Sequence, residues 1–331
     1  MRPFSLHDPL LLLLAGLVID GLFGDMPAIF THVPHPVVLA GRAVASFDRK
    51  LNRPNRGEGD RRIRGVVSVV LLVGGAAALG WVIQLLCRKS LAGAAVEALL
   101  IGVLIAQRGL FEHVAAVAAA LSSGGIAAGR EAVRHIVGRD PASLDAHGVA
   151  RAAIESLAEN FSDGGVAPAF WYLLLGLPGL FAYKMANTMD SMIGHRTPRY
   201  RSFGWAAARF DDLANLPAAP LAGLLLSAAA GFLPGARPRH ALAIMLRDAR
   251  KHRSPNAGWP EAAMAGALHL ALAGPRRYAE GVVEDPWLGD GTARATPPDI
   301  ARALRLYVLA CLIGGGVVFG LWLAMHVRLP L

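Results

Sequence analysis

Charge is scarce in this sequence. Asp, Glu, Lys and Arg make up 17% of its 331 residues, against about a quarter in soluble domains. The scarcity is concentrated, and Val66–Leu86 carries no charged residue at all. That excludes an ordinary soluble helical domain. Cysteine is rarer still: Cys87 and Cys311 are the two in the chain, each in or at the end of an apolar run. A disulfide framework and a cysteine metal site are both excluded, and the two thiols read as small hydrophobes. No G-x-x-x-x-G-K-[ST] occurs, and no G-x-G-x-x-G follows a strand, so the familiar nucleotide cradles are absent. No internal repeat or low-complexity tract breaks the chain up. The first apolar run lacks an A-x-A-like site and does not read as a cleaved signal peptide. Lys and Arg outnumber Asp and Glu by 33 to 24. They are scattered over loops without interleaved aromatics, which argues against nucleic acid as a partner.

What is present is apolar length. Hydrophobic residues make up 54% of the chain, and several runs approach the ~20 residues that cross a bilayer. Segments at about 9–23, 66–86, 91–106, 166–182, 213–233 and 303–325 predict an all-α fold, a polytopic integral membrane helical bundle. Residues 1–331 read as one membrane domain with cytosolic helical elaborations. The basic loop Arg42–Arg64 belongs in the cytoplasm by the positive-inside rule. Two helices, Val66–Leu86 and Leu91–Ala106, then form a hairpin that returns the chain there. Arg108–Gly165 is a polar helical segment with turns at Gly124-Gly125 and Asp140-Pro141. The basic cluster Arg237–Arg253 is also cytoplasmic. Gly176, Pro178 and Gly179 interrupt Val166–Ala182, which predicts a re-entrant broken segment that keeps the polar stretches on both sides of it on one face.

Three polar stretches stand out: 150–165, 183–215 and 254–268. In the first, Glu155, Glu159 and Asp163 fall at i, i+4, i+8 and stack three carboxylates along one helix face. Hard oxygens of this kind suit Mg²⁺, although a solvated helix face would need no ion. Asn160 and Ser162 add neutral hydrogen-bonding groups, and Gly164-Gly165 reads as a helix stop. In the second, Lys184, Asn187, Thr188 and Ser191 form a polar stripe with helical spacing. With Asp190, His195 and Arg196 they suit a phosphate cradle, Lys acting as a point charge and Arg as a clamp. A snorkelling lysine among positive-inside arginines is the plainer alternative. Arg209, Asp211, Asp212 and Asn215 follow. One Asp could bind metal while the other caps a helix starting at Leu213.

Two further stretches complete the set. Near the N-terminus, Asp20, Gly24, Asp25, Pro27, His35 and Pro36 make a Pro-bounded loop that could fold over a site, or simply turn. In the third stretch, Asn256, Trp259 and Glu261 surround Pro260 at a helix start. Trp259 reads as an exposed stacking surface for a large planar ligand.

These strings resemble the CobD/CbiB family, the adenosylcobinamide-phosphate synthases of cobalamin biosynthesis. The matching stretches are GDMP…PHPV at Gly24–Val37, ARAAIESLAENFSDGGVAPAFW at Ala150–Trp171 and YKMANTMDSMIGHR at Tyr183–Arg196. FGWAAARFDDLANLPAA at Phe203–Ala219 and SPNAGWPEAAMAGAL at Ser254–Leu268 complete them. The family's arginine after Asn215-Leu216-Pro217 has no counterpart here, since Ala218-Ala219-Pro220 follow. The AmpE-like membrane proteins are a weaker likeness.

The resemblance implies a ligase of the inner membrane with its active site facing the cytoplasm. It would join (R)-1-amino-2-propanol O-2-phosphate, or a similar amino alcohol, to the free propionate of adenosylcobyric acid. ATP would be the co-substrate and an acyl phosphate the intermediate. By the same resemblance Glu155, Glu159 and Asp163 would hold Mg²⁺, with Asp190 or Asp211/Asp212 completing its shell. Lys184 and Arg196 would grip phosphate oxygens, and Arg209 the amino-alcohol phosphate. Asn160, Asn187 and Asn256 would bind substrate, His35 or Glu261 would take the amine's proton, and Trp259 would meet the corrin. Other implied partners are the lipid bilayer and other cobalamin-biosynthesis enzymes or a homo-oligomer. Two readings of another class are a transporter, whose sites are built from discontinuous helices, and a corrinoid-binding membrane protein without turnover.

Overall fold

The structure, a computed structural model, describes residues 6–24, 26, 30–137, 141–278 and 281–326. Asp25, Pro27 and Asp140 of the sequence reading lie outside the described residues. The fold is helical. Among the described residues the sheet content is two short antiparallel pairs: Leu272–Ala273 with Trp287–Leu288, and Arg276–Tyr278 with Gly281–Val283.

Among the described residues three helices are long and apolar enough to cross a membrane, Glu58–Cys87, Leu91–Ser123 and Pro297–His326. A fourth span is available if Trp205–Asn215 and Ala218–Phe232, bent by 45°, count as one. Only 22% of the apolar window of Glu58–Cys87 and 11% of that of Pro297–His326 is covered by protein. Val70, Leu71, Trp81, Leu86, Leu312 and Phe319 stand exposed on these helices, which fits lipid-facing surfaces and not a soluble core.

The chain divides into two compact units, Met1–Ala106 with Ala167–Asn215 and Val318–Leu331, and Gln107–Val166 with Leu216–Val317. In the first, Asp8 accepts hydrogen bonds from the amides of Leu10 and Leu11 and starts α1 (Pro9–Phe23). α2 (Pro36–Leu51) opens on His35, and Ser90 caps α4 (Leu91–Leu104). Between them runs α3 (Glu58–Cys87), so the basic loop expected at Arg42–Arg64 shrinks to residues 52–57. Arg42, Arg49 and Lys50 sit on α2, and Arg61, Arg62 and Arg64 on the first turns of α3. Glu58 and Asp60 in the first turn of α3 favour an early start, because carboxylates stabilise a helix N-terminus.

The expected break in 166–182 falls at Gly176, between α8 (Ala167–Leu175) and α9 (Leu177–Ile193). Gly176 has φ 70° and ψ −154°, a conformation that is essentially glycine's alone. Trp171 Nε1 donates to the Ala214 carbonyl, and Tyr183 O–H donates to Asn215 Oδ1, both at 2.9 Å. In a straight helix those two residues would lie ~18 Å apart. Here both arms reach the same end of α10 (Trp205–Asn215), so the chain turns back on itself at Gly176. Gly80 of α3 lets that turn approach, since a Cβ there would meet the Leu177 carbonyl oxygen at 2.7 Å. Gly176→Ala is expected to cost about 1–3 kcal/mol, read as a fall in the thermal midpoint in detergent. An unchanged midpoint would show that the turn tolerates a side chain.

The second unit packs α5 (Gln107–Ser123), α6 (Gly125–Val133), α7 (Ala146–Asn160), α11 (Ala218–Ala229), α12 (Pro238–Asp248) and α13 (Gly258–Leu268) around one core. The N-terminal part of α14 (Pro297–His326) completes it. Val149, Ile154, Leu157, Leu226, Met264 and Leu306 are fully buried there. The expected stop at Gly164-Gly165 is not taken. After Asn160 the backbone widens into a π turn, Phe161–Val166, and continues as α8.

Candidate active site

The second polar stretch gathers in the first unit. α9 carries Lys184, Asn187 and Asp190, and α10 carries Arg209, Asp211 and Asp212. Asp211 is buried. Its Oδ1 accepts from Asn187 Nδ2 at 3.5 Å and its Oδ2 from Asn215 Nδ2 at 3.0 Å. The Tyr183 hydroxyl, donating to Asn215 Oδ1, fixes which way that amide points. Arg209 Nη1 meets Asp212 Oδ2 at 3.2 Å, and the charge of Arg196 also acts on Asp212. Burial, and then the charge of Asp212, pushes the Asp190 carboxyl above its ordinary range, with His195 partly offsetting them. Asp190 also acts electrostatically on Asp211. The arrangement is a crowded, partly desolvated set of carboxylates edged by amides and two arginines. Neither Asp caps a helix at Leu213, because both sit inside α10 and the chain breaks at Leu216-Pro217 instead.

Lys184 and Thr188 line an adjoining apolar groove of roughly 340 Å³ with Pro36, Val37, Leu72 and Phe181. His35, just before Pro36, caps α2 through Nδ1, which accepts from the Val37 amide at 3.2 Å. A neutral imidazole accepting at Nδ1 carries its proton on Nε2. As long as the cap stands, that ring has no second lone pair for an incoming proton.

In the second unit the three acids of the carboxylate ladder lie in different surroundings. Glu155 is buried and accepts from the Ala273 amide at 2.9 Å, 118 residues on. Glu159 is exposed, and Asp163 lies half-buried in the π turn. The π turn shifts Asp163 off the i, i+4, i+8 register that a regular helix would give. Asn160 Nδ2 donates to the Ser156 carbonyl and hydroxyl. Asn256 and Glu261 are buried, and Glu261 Oε1 lies 3.7 Å from His252 Nε2. Trp259, expected to be exposed, is half-buried against the core, with Nε1 donating to the Pro255 carbonyl.

Sequence reasoning missed Tyr183, which orients Asn215, and His252, which faces Glu261. It also missed Ser162 as a buried hydroxyl whose Oγ has no hydrogen-bond partner, although π turns do mark functional sites. Among the described residues one trio of His, Cys, Asp or Glu brings its ligand atoms within 4.8 Å of one another: His240, His269 and Asp290. Neither the ladder nor the Asp190–Asp211–Asp212 set converges that closely.

A polytopic helical membrane protein with a buried acid-and-amide cluster on two adjoining helices is the class these features define. The family described as CobD/Cbib protein matches residues 13–307, and the chain belongs to it. A relative from Sinorhizobium sp, named cobalamin biosynthesis protein CobD, is 52% identical over 315 residues, covering 94% of this chain and 98% of that protein. Proteins of the same name from Brucella suis biovar 1 (strain 1330) and Rhodobacter capsulatus are 51% and 47% identical. They cover 90% and 94% of this chain, and 92% and 96% of their own lengths. No solved structure matches the chain.

Proposed function

We propose that this chain is the amide-forming ligase of cobalamin biosynthesis. It joins (R)-1-amino-2-propanol O-2-phosphate, or a similar amino alcohol, to the free propionate of adenosylcobyric acid at the expense of ATP. The observation that carries the reading is the cluster of Asp190, Asp211 and Asp212 bracketed by Asn187, Asn215, Arg196 and Arg209, in a member of this family.

The chemistry sets what such a cluster must do. An ionised carboxylate does not condense with an amine in water without activation. A propionate oxygen attacks the γ-phosphorus of ATP, the bond to the ADP oxygen breaks, and an acyl phosphate forms. The amine nitrogen then attacks the acyl carbon, inorganic phosphate leaves, and the nitrogen gives up a proton. Most of this is positioning and charge neutralisation. Lys184 and Arg196 take the transferring phosphate oxygens, and Arg209 takes the phosphate of the amino alcohol. Asn187 and Asn215 hold Asp211 in place.

Hard carboxylate oxygens crowded with little solvent suit Mg²⁺, and Asp211, Asp190 and Asp212 would hold it. Bound there, the ion supplies charge neutralisation on phosphate oxygens. Glu159 and Asp163, in the second unit, would hold an Mg²⁺ of their own. Glu155 serves as an anchor for the Leu272–Ala273 strand, because its carboxylate already accepts from the Ala273 amide. Of the two candidate bases Glu261 is preferred, since the α2 cap occupies the acceptor nitrogen of His35. Asn160 and Asn256 bind substrate, and the half-buried Trp259 offers the corrin an edge, not a full face. The reaction belongs on the cytoplasmic face of the inner membrane, where ATP is found.

The test is turnover. Detergent-purified chain with adenosylcobyric acid, ATP and the amino-alcohol phosphate is expected to give the amide and ADP. Corrinoid that binds and is recovered unchanged would favour a transporter or binding protein and overturn the ligase. Glu159→Gln, on an exposed face, is expected to raise the Mg²⁺ needed for half-maximal rate several-fold. Full activity of that variant at limiting Mg²⁺ would remove Glu159 from the site.

A further inference from the structure

Three elements of the second unit bring a different donor set together, unrelated to the acid cluster. His240 lies in the first turn of α12, His269 ends α13, and Asp290 follows the strand Trp287–Leu288. Their ligand atoms all lie within 4.8 Å of one another. His240 Nε2 is 2.9 Å from Asp290 Oδ1, and the two imidazoles stack with centroids 4.9 Å apart and planes 24° from parallel. His269 Nε2 is buried with no hydrogen-bond partner. A buried ring nitrogen without a partner is costly unless something comes to meet it.

Two of the nearby arginines are paired with acids of their own, Arg247 with Asp248 and Arg302 with Asp299. Arg247 also stands 3.6 Å from Asp290 Oδ2, behind the carboxylate. Arg237 is the other cation whose field reaches His269. Asp290 is 45% exposed, which gives an ion a route from solvent.

We propose that His240, His269 and Asp290 form a binding site for a divalent transition metal of the Zn²⁺ class. Two imidazoles and one carboxylate are a Zn²⁺ donor set, with water in the fourth position, whereas Mg²⁺ prefers oxygen alone. Binding replaces the His240–Asp290 hydrogen bond and gives the buried nitrogen of His269 a partner. The ion clips His269 and Asp290 to the start of α12. Backbone bonds from Thr292 N to the His269 carbonyl and from Ala271 N to the Thr292 carbonyl also join these points, and Asp248 Oδ2 accepts from the Gly289 amide nearby.

The backbone offers a fold-preserving test. His269 has φ 58° and ψ 45°, a left-handed conformation in which glycine is preferred. His269→Gly therefore removes the ring and relieves the backbone together. The protein to use is full-length chain without a polyhistidine tag, chelator-treated in detergent and titrated with Zn²⁺ or Mg²⁺ alone. The expected result is one Zn²⁺ per chain and a raised thermal midpoint with Zn²⁺ but not with Mg²⁺. His269→Gly and His240→Ala should each weaken Zn²⁺ binding by more than about tenfold, since losing even an outer-shell partner of a ligand costs 10–100-fold. Co²⁺ should give the absorption of a low-symmetry four-coordinate site, which His269→Gly abolishes. Absence of stoichiometric Zn²⁺ binding, or equal binding by His269→Gly, would overturn the proposal. Neither outcome bears on the ligase reading, which rests on other residues.

Discussion

Asp211→Asn is expected to lower the rate of amide formation by about 10²–10³-fold or more, the loss seen when one preorganised electrostatic contact is removed from a reacting phosphate or oxyanion. The substitution is nearly isosteric, so what changes is charge and hydrogen-bond direction. Asn187 and Asn215 both donate to Asp211, and Asn215 cannot turn round because its oxygen already accepts from Tyr183. An asparagine at 211 satisfies one of those donors with its carbonyl and sets its own N–H₂ against the other. It also removes the negative charge proposed to hold Mg²⁺.

A KM-against-kcat split separates this from general damage. With ATP and corrinoid saturating, kcat should collapse while the thermal midpoint stays within a few degrees. Raising Mg²⁺ should recover part of the rate. A kcat within tenfold of the parent would remove Asp211 from the reacting centre. Asn215→Ala makes a useful companion. It takes away one donor but keeps the carboxylate, so it should cost clearly less than Asp211→Asn.

That cluster was legible in the sequence because its residue types are out of place among apolar neighbours. Lys184, Asn187, Asp190, Asp211 and Asp212 announce themselves by composition, and helical spacing puts Lys184 and Asn187 onto one stripe with Thr188 and Ser191. The break at Gly176 was legible for a similar reason, since glycine and proline punctuate an otherwise continuous apolar run. The helix start at Glu58 was not. Its Arg-rich first turns have the composition of a loop, and only the acids at its N-terminus hint otherwise.

The π turn was not legible either. Gly164-Gly165 carries the same local signal whether a helix stops there or widens by one residue, and packing makes that choice. Long-range partners leave no local trace. Glu155 looks like a rung in a ladder until Ala273 arrives from 118 residues away. His240, His269 and Asp290 are spread over fifty positions with no motif spacing. Trp259 read as exposed because glycine and proline flank it, yet its indole lies against the second unit's core.

Asp248→Asn is expected to destabilise the second unit by about 2–3 kcal/mol. Asp248 is fully buried at the end of α12. Arg247 donates to both of its oxygens at 2.7 Å, Lys251 Nζ lies 2.5 Å from Oδ1, and the Gly289 amide donates to Oδ2 at 2.9 Å. Arg247 and Lys251 are themselves nearly half exposed, so water screens part of the attraction and the figure sits below that for a wholly buried pair. Burial alone would lift this carboxyl's pKa. The hydrogen bonds from Arg247, Lys251 and Gly289 outweigh it and hold the group well below the usual carboxylate range.

The sign follows from that depression. The folded state binds this proton less readily than the unfolded chain, so the stabilisation is fully present above pH ~4 and fades as pH falls below it. At neutral pH the variant should melt roughly 4–10 °C lower. Below pH ~4 the gap to the parent should narrow, because the parent is losing the same charge. A midpoint gap that stayed constant with pH would mean that the asparagine acts through packing and not through the lost carboxylate. The same bonds tie the end of α12 to the loop carrying Asp290. Asp248→Asn should therefore also weaken Zn²⁺ binding, whereas His269→Gly should leave the acid dependence of the midpoint as it was.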